Sequence, residues 1–268
     1  KKGGNFMNIV VCVKQVPDTN EVKIDEEKGT LIREGVESII NPEDRIALEE
    51  AVRLKEKFGG KVTVISMGPP QAKNALIEAY AMGADEAVLL SDRAFAGSDT
   101  WATAYTLAQG IKEIGGFDLI FCGRQAIDGD TAQVGPQVAE NLNIPQITYV
   151  SDLEIEDKKV KAKRQLEDGY SILESELPLL LTVVDGLNEP RYPSIKRVVD
   201  AYNNEETVKV WSIDDFEVDE DKLGLDASPT QVHDTFVPTH ETKGEMLEGS
   251  AKEKVEKLVE KLKEEQVV

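Results

Sequence analysis

The stretch IVVCV at residues 9–13 decides the fold class, because it is a continuous apolar run rich in β-branched residues. Such a run is typical of a strand that is buried on both faces of a parallel sheet. Similar runs recur at residues 62–67, 87–90 and 119–122, and helical patterns separate them. Strands that alternate with helices predict right-handed βαβ units. We therefore predict an α/β fold with a mainly parallel, Rossmann-like sheet and helices on both faces.

The helices between these strands have recognisable boundaries. Asn41 is a favourable N-cap residue, Pro42 suits the first helical position, and Gly59-Gly60 ends the first helix. Further helices are predicted over residues 71–82, 100–114 and 131–142, and a small hairpin is predicted around Lys28-Gly29.

The pattern changes after residue 145. Residues 147–155, 160–163 and 170–173 alternate apolar and polar side chains, which predicts antiparallel strands at one sheet edge, and a further buried strand is predicted at 179–184. Acidic residues then accumulate, since residues 214–268 contain sixteen acidic and seven basic side chains. This arm ends in a capping box, Ser250 to Glu253, followed by an apolar helical stripe. We expect it to lie against the domain or a partner rather than to fold alone.

The composition excludes several classes of function. The 268-residue chain carries 31 basic and 51 acidic residues, a formal net charge of −20, which disfavours binding to nucleic acids and to anionic membrane surfaces. No apolar run approaches the roughly 20 residues that a membrane span needs. The only cysteines, Cys12 and Cys122, lie inside apolar runs. We therefore expect no disulfide framework and a reducing, cytoplasmic compartment.

Ligands of an open parallel sheet bind at the carboxyl ends of its strands. Segment 123–136 follows one such strand and contains an Asp128-Gly129 turn, with Asp130 or Thr131 expected to open a helix. Backbone N–H groups in such a turn can hold a pyrophosphate, and Gly129 is expected to adopt a positive φ. Asp128 and Asp130 would repel phosphate, so we interpret them as acceptors for ribose hydroxyls or as helix caps. An ordinary loop before a capped helix is the alternative.

Common catalytic motifs are absent from the sequence. It lacks G-x-G-x-x-G, the Walker motif G-x-x-x-x-G-K, G-x-S-x-G and H-E-x-x-H. His233 and His240 lie seven residues apart in the arm, and we interpret them as solvated or partner-facing residues rather than metal ligands. No catalytic residue and no metal site is assigned, and a cofactor-binding protein is favoured.

Six motifs, in order, resemble those of one known family. They are VCVKQVPD (11–18), NPED (41–44), SMGP (66–69), AMGAD (81–85), the 123–134 loop and LNEPRY (187–192). Together they resemble the electron transfer flavoprotein β subunit over residues 7 to about 201, with a looser match in the arm. The resemblance implies a fold of the adenine-nucleotide α-hydrolase-like type, with a nucleotide-binding domain at 7–200 and a C-terminal arm at 201–268 that contacts an α subunit. Residues 1–6 carry no pattern, and we interpret them as an expression remnant or an upstream translation artefact.

The resemblance also implies the residues of two sites. The family's nucleotide contacts correspond here to Cys12, Asn41, Pro42, Glu43, Asp44, Met67, Gly123, Arg124, Gln125, Ala126, Ile127, Asp128, Gly129, Asp130, Thr131, Ala132, Gln133 and Val134. Cys12 and Met67 would contribute backbone atoms or apolar packing. The family's partner-recognition loop corresponds to Leu187, Asn188, Glu189, Pro190, Arg191, Tyr192 and the residues just after them. Leu187 would either anchor in a pocket of a dehydrogenase or belong to the core.

Members of this family pair with a homologous α subunit that carries an FAD. Their β subunit holds AMP in simple carriers and FAD in electron-bifurcating members. The form GDTAQVGP at 129–136 resembles the bifurcating members, so the resemblance implies FAD, with AMP as the alternative. A hydride would then pass from NADH to this flavin. One electron would go to ferredoxin or flavodoxin, and the other through the α-subunit FAD to an acyl-CoA dehydrogenase or a similar flavoenzyme. Arg124 would either stabilise an anionic flavin or be a surface residue.

Two other functions stay open. A nucleotide-binding regulator of the universal-stress-protein type would form homodimers, but the long arm and the LNEPRY loop argue against it. A nucleotidylating enzyme on this fold would need an S-G-G-x-D-type pyrophosphate loop, which the sequence lacks.

Overall fold

The computed structural model describes residues 6–18, 23–24, 31–32, 38–233 and 244–267. The chain divides into two compact units, residues 1–233 and 234–268, and each is described by itself. None of the helices in these described ranges is long and apolar enough to cross a lipid bilayer.

The first unit follows the predicted alternation of strands and helices. In chain order its elements are β1 (Met7–Cys12), β2 (Gln15–Pro17), β3 (Lys23–Ile24), β4 (Leu31–Ile32), β5 (Ser38–Ile40), α1 (Pro42–Phe58), β6 (Gly60–Met67), α2 (Lys73–Met82), β7 (Glu86–Leu90), α3 (Thr100–Ile114), β8 (Leu119–Gly123), α4 (Val134–Leu142), β9 (Gln146–Glu156), β10 (Lys159–Leu166), β11 (Gly169–Glu176), β12 (Leu179–Val183), α5 (Ile195–Asn203) and β13 (Val208–Trp211). The second unit contains α6 (Ala251–Glu264).

Nine of these strands form one sheet, in the order β11-β10-β9-β12-β8-β1-β6-β7-β13. Neighbouring strands pair in parallel from β9 through β12, β8, β1, β6 and β7 to β13, whereas β10 and β11 continue the sheet in antiparallel pairing. The predicted parallel sheet with an antiparallel edge is therefore confirmed. The antiparallel pair β3–β4 corresponds to the predicted hairpin, whose turn residues Lys28 and Gly29 lie outside the described residues.

The central strand β1 is buried on both faces. Ile9 and Val11 belong to one apolar cluster with residues of α1 and α2, and Val10 and Cys12 belong to a second cluster with residues of α3 and α4. The chain passes from β1 to β6 on one side, and β8 lies on the other side. The carboxyl ends of β1 and β8 therefore form the topological switch point, which is where open α/β sheets bind ligands.

The helix predicted over residues 131–142 starts later than expected, because α4 begins at Val134. Asp130 and Ala132 have φ angles of 47° and 52°. These angles lie in the left-handed region, which a right-handed α-helix does not contain. Residues 124–133 therefore form a loop beside the switch point.

Two elements after residue 190 were missed in the sequence. They are α5 and the edge strand β13, which pairs in parallel with β7. The compact unit continues to His233, so the domain boundary drawn at residue 200 falls inside it. Phe216 and Leu223 are buried in the second apolar cluster. The first part of the acidic arm therefore lies against the α/β unit.

α6 is the helix that the sequence predicts near the end of the chain. Glu253 N donates to Ser250 Oγ at 3.4 Å, and Ser250 N donates to Glu253 Oε2 at 2.7 Å, so the predicted capping box is confirmed. Val255, Leu258 and Val259 form an exposed apolar stripe on this helix.

Candidate functional site

Asn41 joins the start of α1 to the loop that follows β8. It occupies the N-cap position of α1, but its side chain makes no capping hydrogen bond. Instead, Ile127 N donates to Asn41 Oδ1 at 3.0 Å, and Asn41 Nδ2 donates to Gln125 O at 2.8 Å. Asn41 is completely buried. Its amide therefore holds the backbone of the loop rather than the end of its own helix.

Asp44 ties together the carboxyl ends of the two strands at the switch point. Lys14 N, just after β1, donates to Asp44 Oδ2 at 2.8 Å, and Gly123 N, at the end of β8, donates to Asp44 Oδ1 at 3.0 Å. Burial raises the pKa of Asp44 to about 7, although these backbone hydrogen bonds and the Asn41 side chain oppose the shift. Both oxygens of this carboxyl group are thus occupied by the chain itself.

Glu43 adds contacts to the next residues of the loop. Gln125 N donates to Glu43 Oε2 at 2.9 Å, and the Arg124 guanidinium lies 3.1 Å from Glu43 Oε1. Burial raises the pKa of Glu43 above its usual value. On the other side of the loop, Lys14 Nζ forms an ion pair with Asp128 at 2.7 Å. Residues 123–128 of the loop are therefore fixed at both of their ends.

Two glycines that flank the loop, one at the end of β8 and one in the first turn of α4, allow close packing. A Cβ atom on Gly123 would lie 2.5 Å from Asp44 Oδ1, and one on Gly135 would lie 2.6 Å from Thr182 Cγ2. Gly123 lets α1 approach the end of β8, and Gly135 lets α4 approach β12. Gly129 differs from both in its surroundings, because no atom lies within 4 Å of a Cβ built on it. Its φ is not positive. The expectation of a positive φ at Gly129 was wrong.

Residues 128–131 and Gln133 are the exposed residues of the loop. Asp130 Oδ1 accepts a hydrogen bond from Gln125 Nε2 at 2.8 Å, and Thr100 Oγ1 donates to Gln133 Oε1 at 3.0 Å. The N-cap position of α4 is Gln133, so the interpretation of the two aspartates as helix caps was wrong. Their alternative interpretation, as acceptors for ribose hydroxyls, stays a prediction.

A basic and aromatic cluster near this loop was missed in the sequence. The ring centroid of Tyr149 lies 6.0 Å from the Cζ atoms of both Arg124 and Arg164. Tyr149 has a φ of 59° at a break in the pairing of β9 with β12, which is unusual for a bulky residue. The Nε atoms of both arginines are buried without a hydrogen-bond partner among the described residues. No motif signals this cluster, because the break in strand register brings its members together.

A cleft lies at the carboxyl ends of β6 and β7. Its volume is about 590 Å³, and its lining residues are Met67, Gly68, Pro69, Pro70, Ser91, Asp92, Arg93, Phe95, Ala96, Gly97 and Ser98. The predicted contact Met67 lies in this cleft, at the end of the strand beside β1. The structure therefore places Cys12, residues 41–44, Met67 and residues 123–134 along the carboxyl edge of three neighbouring strands.

The two thiols are buried, and one of the two histidines lies within the described residues. Cys12 and Cys122 are buried and free, and a hydrogen bond with Cys12 together with burial raises the pKa of the Cys122 thiol, which disfavours the reactive thiolate. No cluster of three or more His, Cys, Asp or Glu side chains suited to a metal ion occurs in the described part of the chain. His233 is exposed, and His240 lies outside the described residues.

The 187–192 segment packs along α1. Arg191 forms ion pairs with Glu49 at 2.8 Å and with Glu56 at 2.6 Å. Leu187 is partly buried against the first apolar cluster, as the core interpretation of this residue predicts. The exposed apolar side chains nearby are Tyr192, 92% exposed, and Ile195, 83% exposed. A partner would reach these two side chains more readily than Leu187.

A family model described as the electron transfer flavoprotein domain matches residues 28–216 of this chain. The chain belongs to the electron transfer flavoprotein family. The resemblance to this family is therefore confirmed. Family membership gives the chain a role in electron transfer, which agrees with the lack of common catalytic motifs in the sequence.

Three relatives cover nearly the whole chain. The electron transfer flavoprotein subunit beta of Thermoanaerobacterium thermosaccharolyticum is 61% identical over 98% of this chain and 100% of its own length. The subunit of the same name from Clostridium acetobutylicum is 56% identical, again over 98% of this chain and 100% of its own length. The caffeyl-CoA reductase–Etf complex subunit CarD of Acetobacterium woodii is 55% identical, with the same coverage of both chains. The similarity to these relatives thus includes the 123–134 loop and the 187–192 segment.

Proposed function

We propose that this chain is the β subunit of a heterodimeric electron transfer flavoprotein, and that it binds an adenine nucleotide at the carboxyl ends of β1, β6 and β8. The single observation that carries the proposal is the 123–128 loop, which side chains at the start of α1 and Lys14, just after β1, fix at the switch point of the sheet. The names of the relatives support the β-subunit assignment.

The charges around the loop suit a phosphate group. Asp128 is paired with Lys14, and Asp130 accepts a hydrogen bond from Gln125. Each carboxylate therefore has a partner within the protein and is not directed at the phosphate as an unpaired negative charge. Arg124 is paired with Glu43. Arg164, in contrast, forms no ion pair within the described ranges, and its Nε atom has no hydrogen-bond partner there. An anionic pyrophosphate would supply the acceptor that this guanidinium lacks.

We propose FAD as the nucleotide, with AMP as the second candidate. The GDTAQVGP sequence resembles bifurcating members of the family, and the cleft of about 590 Å³ at Met67 offers room beyond an adenosine phosphate. When bound, the flavin would supply acceptance of a hydride from NADH and release of the two electrons one at a time. The chain's own part is to position the nucleotide through the loop and to set the charge around it through Arg124 and Arg164.

The proposed electron partners follow from the same assignment. One electron would go to ferredoxin or flavodoxin, and the other to the FAD of the α subunit and then to an acyl-CoA dehydrogenase or a similar flavoenzyme. The name of the Acetobacterium woodii relative, which includes a caffeyl-CoA reductase, supports a partner of this class. We propose that the α6 stripe contacts the α subunit, and that the exposed Tyr192 and Ile195 contact the dehydrogenase.

The nucleotide content of the purified heterodimer tests the proposal. Two FAD per heterodimer, with NADH oxidation that depends on both a low-potential acceptor and a dehydrogenase, is the expected result. One FAD and one AMP per heterodimer, with no NADH oxidation, would establish the simple carrier instead. A β subunit that retains no nucleotide at all would contradict the site.

Replacing Arg164 by alanine is expected to weaken nucleotide binding about 10- to 100-fold, because a charge-assisted hydrogen bond contributes roughly 1.5–3 kcal/mol. Arg164→Lys should restore part of this loss, since it keeps the charge. Lys161→Ala is the matched control, because Lys161 is an exposed cation on the same strand. Isothermal titration with AMP and with FAD measures the effect, and equal losses in the Arg164 and Lys161 variants would argue against a phosphate role.

A further inference from the structure

The N-cap and first turn of α1 present three polar side chains to the loop after β8. We infer that Asn41, Glu43 and Asp44 are positioning residues, which hold residues 123–128 in the binding conformation before a nucleotide arrives and do not contact the nucleotide with their own side chains. The inference rests on the proposed nucleotide site and states how that site is built. It differs from the assignment of these residues as direct nucleotide contacts.

The hydrogen bonds of these side chains are directed at the protein. Both polar atoms of the Asn41 side chain bind loop backbone, at 3.0 and 2.8 Å. Both oxygens of Asp44 accept from backbone N–H groups at the ends of β1 and β8. Asn41 is completely buried and Asp44 is 6% exposed, so neither presents a free polar atom to a ligand.

Electrostatics argues in the same direction. The N-terminus of a helix attracts phosphate through its free N–H groups and its partial positive charge. The first turn of α1, however, contains two acidic residues, Glu43 and Asp44. A phosphate at this position would meet their carboxyl groups. The helix end is therefore used to order the loop, and the ligand's phosphates are left to the loop and to Arg124 and Arg164.

The arrangement divides the loop into two parts. Residues 123–128 are held at Gly123, Arg124, Gln125, Ile127 and Asp128 by α1 and by Lys14. The following residues, Gly129 to Thr131, are exposed. A segment that is ordered in advance costs the ligand less conformational entropy on binding. The three side chains would thus raise affinity without touching the ligand.

Amide hydrogen exchange separates positioning from contact. The full chain, co-expressed with the α subunit and stripped of nucleotide, is compared with its Asn41→Ala variant. We expect the amides of Gln125 and Ile127 to exchange at least about 10-fold faster in the nucleotide-free variant, because a local opening becomes easier. We expect the dissociation constant of AMP, the probe, to rise by about 10-fold as well.

A conservative pair provides a second test in case Asn41→Ala does not fold. Glu43→Gln keeps an acceptor for Gln125 N and should retain AMP affinity within about 3-fold, whereas Glu43→Ala should behave as Asn41→Ala does. Glu50→Ala is the matched control, because Glu50 also lies on α1 but accepts from Asn188. It should leave the exchange of the loop amides unchanged.

Weaker AMP binding with unchanged loop exchange would overturn the inference, since it would mean direct contact. Faster loop exchange with unchanged AMP affinity would also overturn it, because the loop order would then not serve binding. A wild-type heterodimer that neither carries nor binds a nucleotide would instead overturn the proposed function. Nucleotide content and AMP binding of the wild type are therefore measured before any variant is made.

Discussion

Replacing Gly123 by alanine is expected to lower the free energy of unfolding by about 3 kcal/mol and to prevent nucleotide retention. The new Cβ atom would lie 2.5 Å from Asp44 Oδ1, 2.8 Å from Glu43 Cβ and 2.9 Å from Asp44 N. Two of these atoms belong to the body of α1, so the helix would have to move away from β8. That movement would also break the hydrogen bond from Gly123 N to Asp44. Urea denaturation and the nucleotide content of the heterodimer measure both effects.

Gly129→Ala is the matched control in the same loop. No atom lies within 4 Å of a Cβ at this position, and its φ is not in the left-handed region. We expect a change of less than about 0.5 kcal/mol in unfolding free energy. Similar losses in the two variants would show that the close approach of α1 to β8 is not what requires Gly123.

The carboxyl group of Asp44 is expected to make stability depend on pH near neutrality. Burial raises its pKa in the folded protein from 3.8 to about 7. Because the folded pKa lies above the unfolded pKa, folding favours the protonated form. The stabilisation that the protonated Asp44 carboxyl group contributes to folding is complete below pH 3.8 and is lost as the pH rises through about 7. A shift of this size corresponds to on the order of 4 kcal/mol over the whole range.

Asp44→Asn tests this pH dependence, because asparagine does not titrate. Its amide offers one oxygen acceptor, but its NH₂ group would face either Lys14 N or Gly123 N, both of which are donors. At pH 6 we expect the variant to be less stable than the wild type by about 2 kcal/mol. As the pH rises from 5.5 to 8.5, the difference in unfolding free energy between the wild type and the variant should narrow, since only the wild type loses the contribution of Asp44. A difference that is constant across this range, measured by urea denaturation, would contradict the assignment.

Much of the sheet could be predicted from the sequence, because local patterns determine it. The apolar run at residues 9–13 and the alternation that follows it gave the parallel strands, and the acidic turns after residue 145 gave the antiparallel edge. The capping box at Ser250 was also predictable, since it involves neighbouring residues only. Features of this kind depend on a few adjacent side chains.

The features of the fold and of the site that the sequence did not predict depend on contacts between distant residues. β13 is a short strand in an acidic stretch, and it is recognisable only by its pairing with β7. Tyr149 and Arg164 meet because of a break in strand register. The sequence before α4 resembled a helix start. The left-handed φ angles of Asp130 and Ala132, which delay the helix, follow from the contacts around the loop rather than from residue type. The side chains of α1 that hold this loop could not be distinguished from ligand contacts without the structure.

The position of β13 at the sheet edge has a consequence for the biogenesis of the chain. Until residues 208–211 have been synthesised, β7 is an edge strand with one side unpaired. Four of its five residues are apolar, with the sequence EAVLL, and an open apolar edge promotes aggregation by intermolecular pairing. A recombinant fragment that stops at residue 200 would keep this edge open permanently. Fragments intended for expression should therefore extend to His233, where the compact unit ends.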